Sequence, residues 1–468
     1  MDALPPELLR EIFHLALPIL PRDLKDVPLE SDIMWTWFRS SEDPLPALRQ
    51  LSSVCTLWRD IINNFPSAWS KVFIRPPNKP PLEEILAKSR NAPLDLIITC
   101  NKDYPQDEAT EDVKEQMKSL AKFLQPFRSR IRVLDQCCRH TPNCFLPHFL
   151  ADGDPLISFP SLKSLMIGSI LMAIPHEILN RQQYVDAPNL ERLYLASCPQ
   201  FEDILTPRSM SKIQHFLASP HTGYHPLVSN KALRLGSCSL LKLEYLGGEQ
   251  SNFMGIEPGS VLRFPNMTEM HLTYIRMDVS NWDFLDRIDS PKLRVLVLEK
   301  TLEYDPPTDE IIPFLLGDMT PRLFSTVTSL SMKHFTIDRA GLKTIMKACP
   351  QLEYLILPYC QFTSFSDDDS VANDRLFGVN MIHVSVDYCD ISANTLRALL
   401  VNILQHRARH TGNVPCKLAL YLTLYLADRR LWGMTFGMTS WGMPEVLESS
   451  EFQDVLFTRH VMLTNVLF

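Results

Sequence analysis

Apolar residues recur at helical spacing twice near the start of the chain. Over residues 5–17 one stripe carries Leu8, Ile12 and Leu15, and a neighbouring stripe carries Leu9, Phe13 and Ala16, the i, i+3, i+4 pattern of an amphipathic helix. Pro5 and Pro6 suit its first turn. Over residues 46–63 a second pattern places Leu48, Leu51, Cys55, Trp58 and Ile62 on one stripe, with Val54 and Ile61 adjoining. Two short helices bury about one face each against one another, so the surplus apolar surface predicts a partner. Between them, residues 18–44 are acidic and proline-bearing but hold Trp35, Trp37 and Phe38, which predicts a segment partly pinned to a surface. A strand is predicted at 71–74, and the run RPPNKPP that follows forbids helix or central strand and marks a boundary. Beyond it the pattern predicts a helix over 82–90, a strand over 94–99 and a helix over 112–124.

From about residue 131 a unit repeats, Leu-x-x-Leu-x-Leu, often introduced by Pro and one further residue. Its copies are FPSLKSLMI (Leu162, Leu165, Ile167), APNLERLYL (Leu190, Leu193, Leu195), FPNMTEMHL (Met267, Met270, Leu272) and SPKLRVLVL (Leu293, Leu296, Leu298). TVTSLSM (Val327, Leu330, Met332) and CPQLEYLIL (Leu352, Leu355, Leu357) continue it, with degenerate copies at Met381, Val384, Val386 and at Leu233, Leu235. The steps between neighbouring copies bracket the roughly 20 to 29 residues of a leucine-rich repeat, longer steps implying insertions. Alternation within each unit predicts a short strand with one apolar face. Amphipathic helices are predicted between strands, clearest over 338–348 and 392–405. A single unit cannot bury itself, so the reading is a stacked array. Cys198, Cys238, Cys360 and Cys389 each follow the last apolar position by three residues, the slot where such repeats place Asn or Cys. They are expected to be buried and structural.

Composition narrows the function. The formal charge is −8, from 46 Lys and Arg against 54 Asp and Glu, with no long basic run; a basic face for nucleic acid is not expected. The longest apolar stretch, over 418–427, falls short of the roughly 20 residues that span a bilayer, and the N-terminal residues do not follow the basic-then-apolar order of a secretory signal. Eleven scattered cysteines suit reduced thiols, so a cytoplasmic or nuclear location is expected. With 36 Pro but only 15 Gly, phosphate-cradling loops are not expected.

No P-loop, dinucleotide fingerprint, nucleophile elbow or zincin motif is present. Cys137, Cys138, His140, Cys144 and His148 cluster, yet adjacent cysteines do not match zinc spacing. His406 and His410 share a helical spacing but lack an acidic base between them, and Asp367, Asp368 and Asp369 lack regularly alternating oxygen ligands. Neither a metal nor a cofactor is expected.

The residues LPPELLREIF at 4–13 and LPALRQLSSVCTLWRDII at 45–62 resemble the two halves of an F-box, and NNFPSAWSKVFI after them is similar to the ending found in many F-box proteins of mushroom-forming fungi. An F-box followed by leucine-rich repeats resembles the substrate-receptor subunits of Skp-cullin-F-box ubiquitin ligases. The resemblance implies an α/β chain with a small all-α F-box module and a curved leucine-rich-repeat solenoid of strand-helix repeats. The implied layout is an F-box over 1–75 with an insertion at about 18–44, connecting helices over 76–130, the solenoid over 131–410 and a capping segment over 411–468.

It implies docking on a Skp-type adaptor, and through it a cullin-RING ligase, by Leu4, Pro5, Leu8, Ile12, Phe13, Leu48, Leu51, Val54, Cys55 and Trp58. The repeats would hold an unknown protein substrate, and the chain itself would not be an enzyme. The alternatives are an adaptor-bound scaffold without a ligase role, or an enzyme built from the solenoid loops around Cys137 to Cys144. The strand register predicts the substrate-facing side chains as Arg192, Tyr194, Arg234, Glu269, His271, Tyr354, Ile356, His383 and Ser385.

Overall fold

The repeated step of this fold is a proline turn followed by a strand. The computed structural model describes residues 4–17, 43–74, 81–99, 111–138, 145–150, 155–169, 184–196, 204–219, 231–246, 261–273, 288–299, 322–362, 380–387, 389, 419–423 and 461–463. The amide of Leu162 donates to the Phe159 carbonyl at 3.2 Å, and Leu190 to Ala187, Leu293 to Ser290 and Leu352 to Cys349 at 3.0 to 3.2 Å. Each of these turns has Pro in its second position, where the ring presets φ. Two residues past the turn the strand begins, and its alternate side chains enter the core. Leu190, Leu193 and Leu195 are buried, as are Leu293, Leu296 and Leu298. The proline noticed in the sequence therefore restarts each strand that it precedes, while the turns closed by Ile213, Leu240 and Val327 do the same without it.

The chain divides into two units, Met1–Leu240 with Tyr245–Gly255, and Leu241–Glu244 with Ile256–Phe468. Both are mixed α/β, and in both the strands pair in parallel.

The first unit opens with helix α1 (Pro6–Ala16), α2 (Pro44–Val54) and α3 (Thr56–Asn63). The single helix expected over 46–63 is two, because Cys55 is extended (φ −160°, ψ 170°). The hydroxyls of Ser52 and Ser53 donate back to the Leu48 and Gln50 carbonyls, and Arg59 Nε takes the Ser52 carbonyl. Local bonds of this kind compete with helix continuation. A 3-10 turn (Pro66–Trp69) then leads into β1 (Lys71–Ile74). It is fastened by the Trp69 indole N–H, which donates to the Ile62 carbonyl at 2.9 Å.

No break in pairing occurs at the boundary expected near residue 75. After α4 (Leu82–Ser89), β2 (Leu94–Thr99) pairs with β1, and after α5 (Glu111–Leu124), β3 (Ile131–Cys138) pairs with β2. Within the segment 76–130 the ladder takes one strand, β2, where a strand was expected over 94–99. α6 (Leu146–Leu150) follows, and then β4 (Leu156–Ser158), β5 (Ser164–Ser169), β6 (Tyr184–Asp186) and β7 (Arg192–Ala196). Next come α7 (Pro207–Met210), β8 (His215–Ser219) and α8 (Lys231–Gly236). The ladder order is β1-β2-β3-β5-β7-β8, with β4 and β6 forming a separate small pair.

The degenerate copy expected at Leu233 and Leu235 is not a strand. Those residues lie in α8, and Gly236 ends the helix where a Cβ would meet the Met210 carbonyl oxygen at 3.1 Å. The strand instead begins two residues after Leu240, as β9 (Lys242–Leu246), in the same register as the other copies.

In the second unit β10 (Leu262–Arg263) pairs with β12 (Ile288–Asp289). The main ladder runs β11 (Glu269–Thr273), β13 (Val295–Glu299), β14 (Ser329–Lys333) and, past β15 (Thr336–Ile337) and α9 (Arg339–Ala348), β16 (Tyr354–Ile356). β15 pairs with β17 (Gln361–Phe362), and β18 (His383–Asp387), β19 (Ala419–Thr423) and β20 (Val461–Leu463) complete the main ladder. α9 starts where expected, capped by Asp338, whose carboxylate accepts from the Gly341 amide at 2.6 Å. The short pairs occupy connections where the sequence suggested helices.

Forked main-chain bonds tie the strand starts together. The Thr268 carbonyl accepts from the amides of Arg294 and Val295, the Arg294 carbonyl from Thr328 and Ser329, the Thr328 carbonyl from Glu353 and Tyr354, and the Glu353 carbonyl from Ile382 and His383.

The predicted helix over 392–405, most of residues 18–44 and of 411–468, and Cys198 lie outside the described residues.

Candidate functional site

Helix α1 has two apolar faces, and only one is used internally. Leu9, Phe13 and Leu17 are buried, with Phe13 at 0% exposure and its ring edge-on to Trp58 at 4.8 Å. That contact fixes α1 against α3 and is worth about 0.5 to 1.5 kcal/mol beyond burial. The opposite stripe is open: Leu4, Leu8, Ile12 and Leu15 are all exposed, Leu8 at 51% and Leu15 at 70%. Val54 and Leu57, flanking the break at Cys55, are exposed as well, and so is Cys55 itself.

Of the ten residues expected to face an adaptor, Leu4, Pro5, Leu8, Ile12, Val54 and Cys55 are exposed and Leu51 and Trp58 half-buried. Phe13 and Leu48 are buried in the core of their own unit and hold the helices together. Leu15 and Leu57 belong with the exposed set though the sequence reading left them out. The signal for Leu15 was its i+3 spacing from Ile12, and that for Leu57 its place three residues after Val54 and four before Ile61.

The residues expected on the outward face of the strands divide by unit. In the first unit, register aligns Ile97, Asp135, Met166, Tyr194 and Leu217 across five strands. All five are buried, Tyr194 at 5% exposure, so this row is covered rather than solvated, and Tyr194 packs instead of pointing at a partner. Arg192 in the neighbouring row is half-buried. Arg234 lies in α8 and not on a strand, a correction that follows from the shifted register.

In the second unit the aligned rows are Glu269, Val295, Ser329, Tyr354, His383 and His271, Val297, Ser331, Ile356, Ser385. Tyr354 is 39% exposed and its ring lies 5.8 Å from that of its cross-strand neighbour His383. Glu269 and Ile356 are half-buried, while His271 and Ser385 are buried. Burial, with the Lys242 charge adding to it, pushes the His271 imidazole down to about 3, and Lys242 pairs with Glu269 at 3.6 Å. His271 is thus neutral and part of the packing.

At the far end of these strands Lys333 and Glu299, opposite one another in register, pair at 2.6 Å with both side chains largely buried. Beside them His334 and Tyr359, both with left-handed φ of 63° and 55°, stack at 5.1 Å. Burial and the Lys333 charge lower His334 to about 4.

The thiols sort by the same register. The Cys360 thiol donates to the Met332 carbonyl at 3.1 Å; that of Cys389 donates to the Leu357 carbonyl at 2.8 Å and accepts from the Cys360 amide. Cys238 is exposed, because it follows α8 rather than a strand.

Among the described residues no three His, Cys, Asp or Glu side chains come together to hold a metal ion, and no helix is long and apolar enough to cross a membrane. Cys137 and Cys138 end β3 and His148 lies in α6, while His140, Cys144, Asp367, Asp368, Asp369, His406 and His410 lie outside the described residues. No family model and no curated protein matches the sequence.

Proposed function

We propose that α1, α2 and α3 form an F-box module that docks on a Skp-type adaptor, that the parallel turn-strand array is a leucine-rich-repeat solenoid, and that the protein is the substrate-recognition subunit of a Skp-cullin-F-box ubiquitin ligase. The observation that carries the reading is the pair of faces on α1. An apolar stripe of Leu4, Leu8, Ile12 and Leu15 stays exposed while the stripe behind it is already used to pack α3. Exposed apolar residues at helical spacing supply the anchors of a helix-in-partner contact. In this reading the chain contributes proximity between substrate and ligase, an effective-concentration effect, rather than chemistry of its own. The substrate-facing set narrows to Tyr354, His383, Glu269 and Ile356 in the second unit, together with Arg192.

Capture of the full chain on a recombinant Skp-type adaptor tests the proposal. Leu8→Asp with Ile12→Asp changes only exposed positions, so the protein keeps its fold and loses adaptor binding by more than about tenfold, the effect expected of removing buried interface anchors. The exposed thiol of Cys55 gives a second readout, labelled in the free chain and protected in the complex. Undiminished capture by the folded double variant, with Cys55 still open to reagent, removes the F-box assignment.

A further inference from the structure

Asp135 lies in the middle of β3, fully buried, and neither carboxyl oxygen has a hydrogen-bond partner. Its in-register neighbours are Ile97 on β2 and Met166 on β5, followed by Tyr194 on β7 and Leu217 on β8, all buried. An ionised carboxylate without donors cannot be held in such surroundings, because its lost hydration is not replaced. The charged and titratable groups nearby stand in the adjoining row, Lys71, Asp95, Arg192 and His215. Asp95 is locked by Arg132, which donates to both its oxygens at 2.9 and 2.7 Å, so Arg132 is already engaged. Burial, with the Asp95 charge adding to it, outweighs the opposing Arg192 charge and raises the Asp135 carboxyl well above its ordinary range.

We propose that Asp135 is a proton-held latch: as a neutral acid it keeps its row on β2, β3, β5, β7 and β8 sealed, and its ionisation uncovers the apolar neighbours Ile97, Met166, Tyr194 and Leu217. The inference concerns the first unit's sheet alone and does not rest on the adaptor reading. In the unfolded chain the carboxyl loses its proton near pH 3.9, whereas the folded chain retains it. Stability from this group is therefore full below about pH 4 and falls as pH rises toward the folded value.

Two measurements on the full chain decide it. Asp135→Asn keeps the shape of the neutral acid without the proton, so between about pH 4 and 7 its folded-to-unfolded ratio gains on that of the native chain, approaching tenfold per pH unit while Asp135 stays protonated. Parallel profiles overturn the proposal. Should the variant not fold, hydrogen exchange in the native chain serves, with peptides from β13 and β14 of the second unit as internal reference. After correction for intrinsic exchange, β2, β3 and β5 lose protection with rising pH while the reference does not; equal pH dependence in both sets overturns the proposal.

Discussion

The outward faces of the two strand ladders are built on the same register and end in different states. In the first unit the row through Asp135 and Tyr194 is buried from β2 to β8, whereas in the second the matching row buries His271, Val297 and Ser385 but leaves Ser331 and Ile356 half-buried; the rows beside them, through Arg192 and through Tyr354, are partly open in both units. Alternation along a strand decides which residues share a face, but not whether that face meets solvent or a second layer. The difference lies in that one row, sealed from end to end in the first unit and interrupted in the second, while both units keep half-buried side chains in the row beside it.

Truncating one tyrosine on each ladder sharpens that contrast most. Tyr194→Ala empties a packed site and should lower unfolding stability by about 3 to 5 kcal/mol, as large aromatic deletions in cores do, whereas Tyr354→Ala should cost less than about 1 kcal/mol. Urea denaturation of both variants measures the gap, and equal losses would mean that the two faces are not distinct.

The units should also answer acid in opposite senses. His271 and His334 take up a proton near pH 6.5 when unfolded but only near about 3 and about 4 when folded. Their contribution is full above about pH 6.5 and is lost as pH falls toward 4, opposite to the behaviour of Asp135. Stability across pH 4 to 7 for His334→Gln checks this: part of the acid-side loss should disappear, and an unchanged profile would refute the assignment.

The smallest effect concerns reactivity. Cys55 and Cys238 are exposed, Cys349 and Cys360 buried, and burial raises the Cys349 thiol to about 12. Site-resolved alkylation of the native chain should modify the first two well before the last two. Early modification of Cys360 would dislodge the register on which the comparison rests.

Much of this was legible from the chain because the signals are local. Pro followed by one residue and an apolar position marks a turn, and every copy so introduced became a strand. The errors arose where alternation acted without the turn. KALRLG alternates like a strand but closes as α8, and the units at Ile213 with Phe216 and at Leu240 with Leu243 went unread, having no proline before them and Ala218 and Tyr245 in the third position where the copies that were read carry Leu, Ile, Val or Met. Likewise α1 could be read as two-faced, but which face packs depends on Trp58, distant in sequence. The burial of Tyr194 and Asp135 is a property of layers, and no pattern within one strand encodes it.

The forked main-chain bonds at the strand starts carry a further consequence. Both bonds of each fork lie in the backbone, and the hydroxyls of Thr268 and Thr328 only add to them, each donating at 3.3 Å to a carbonyl that already accepts two amides. Any residue but proline can donate there. A chain assembled on such a seam can exchange nearly all its outward side chains, and lengthen its loops at a cost that grows only slowly, while its geometry persists. What evolution can revise freely here is the inscription on the surface, not the spacing of the lines on which it is written.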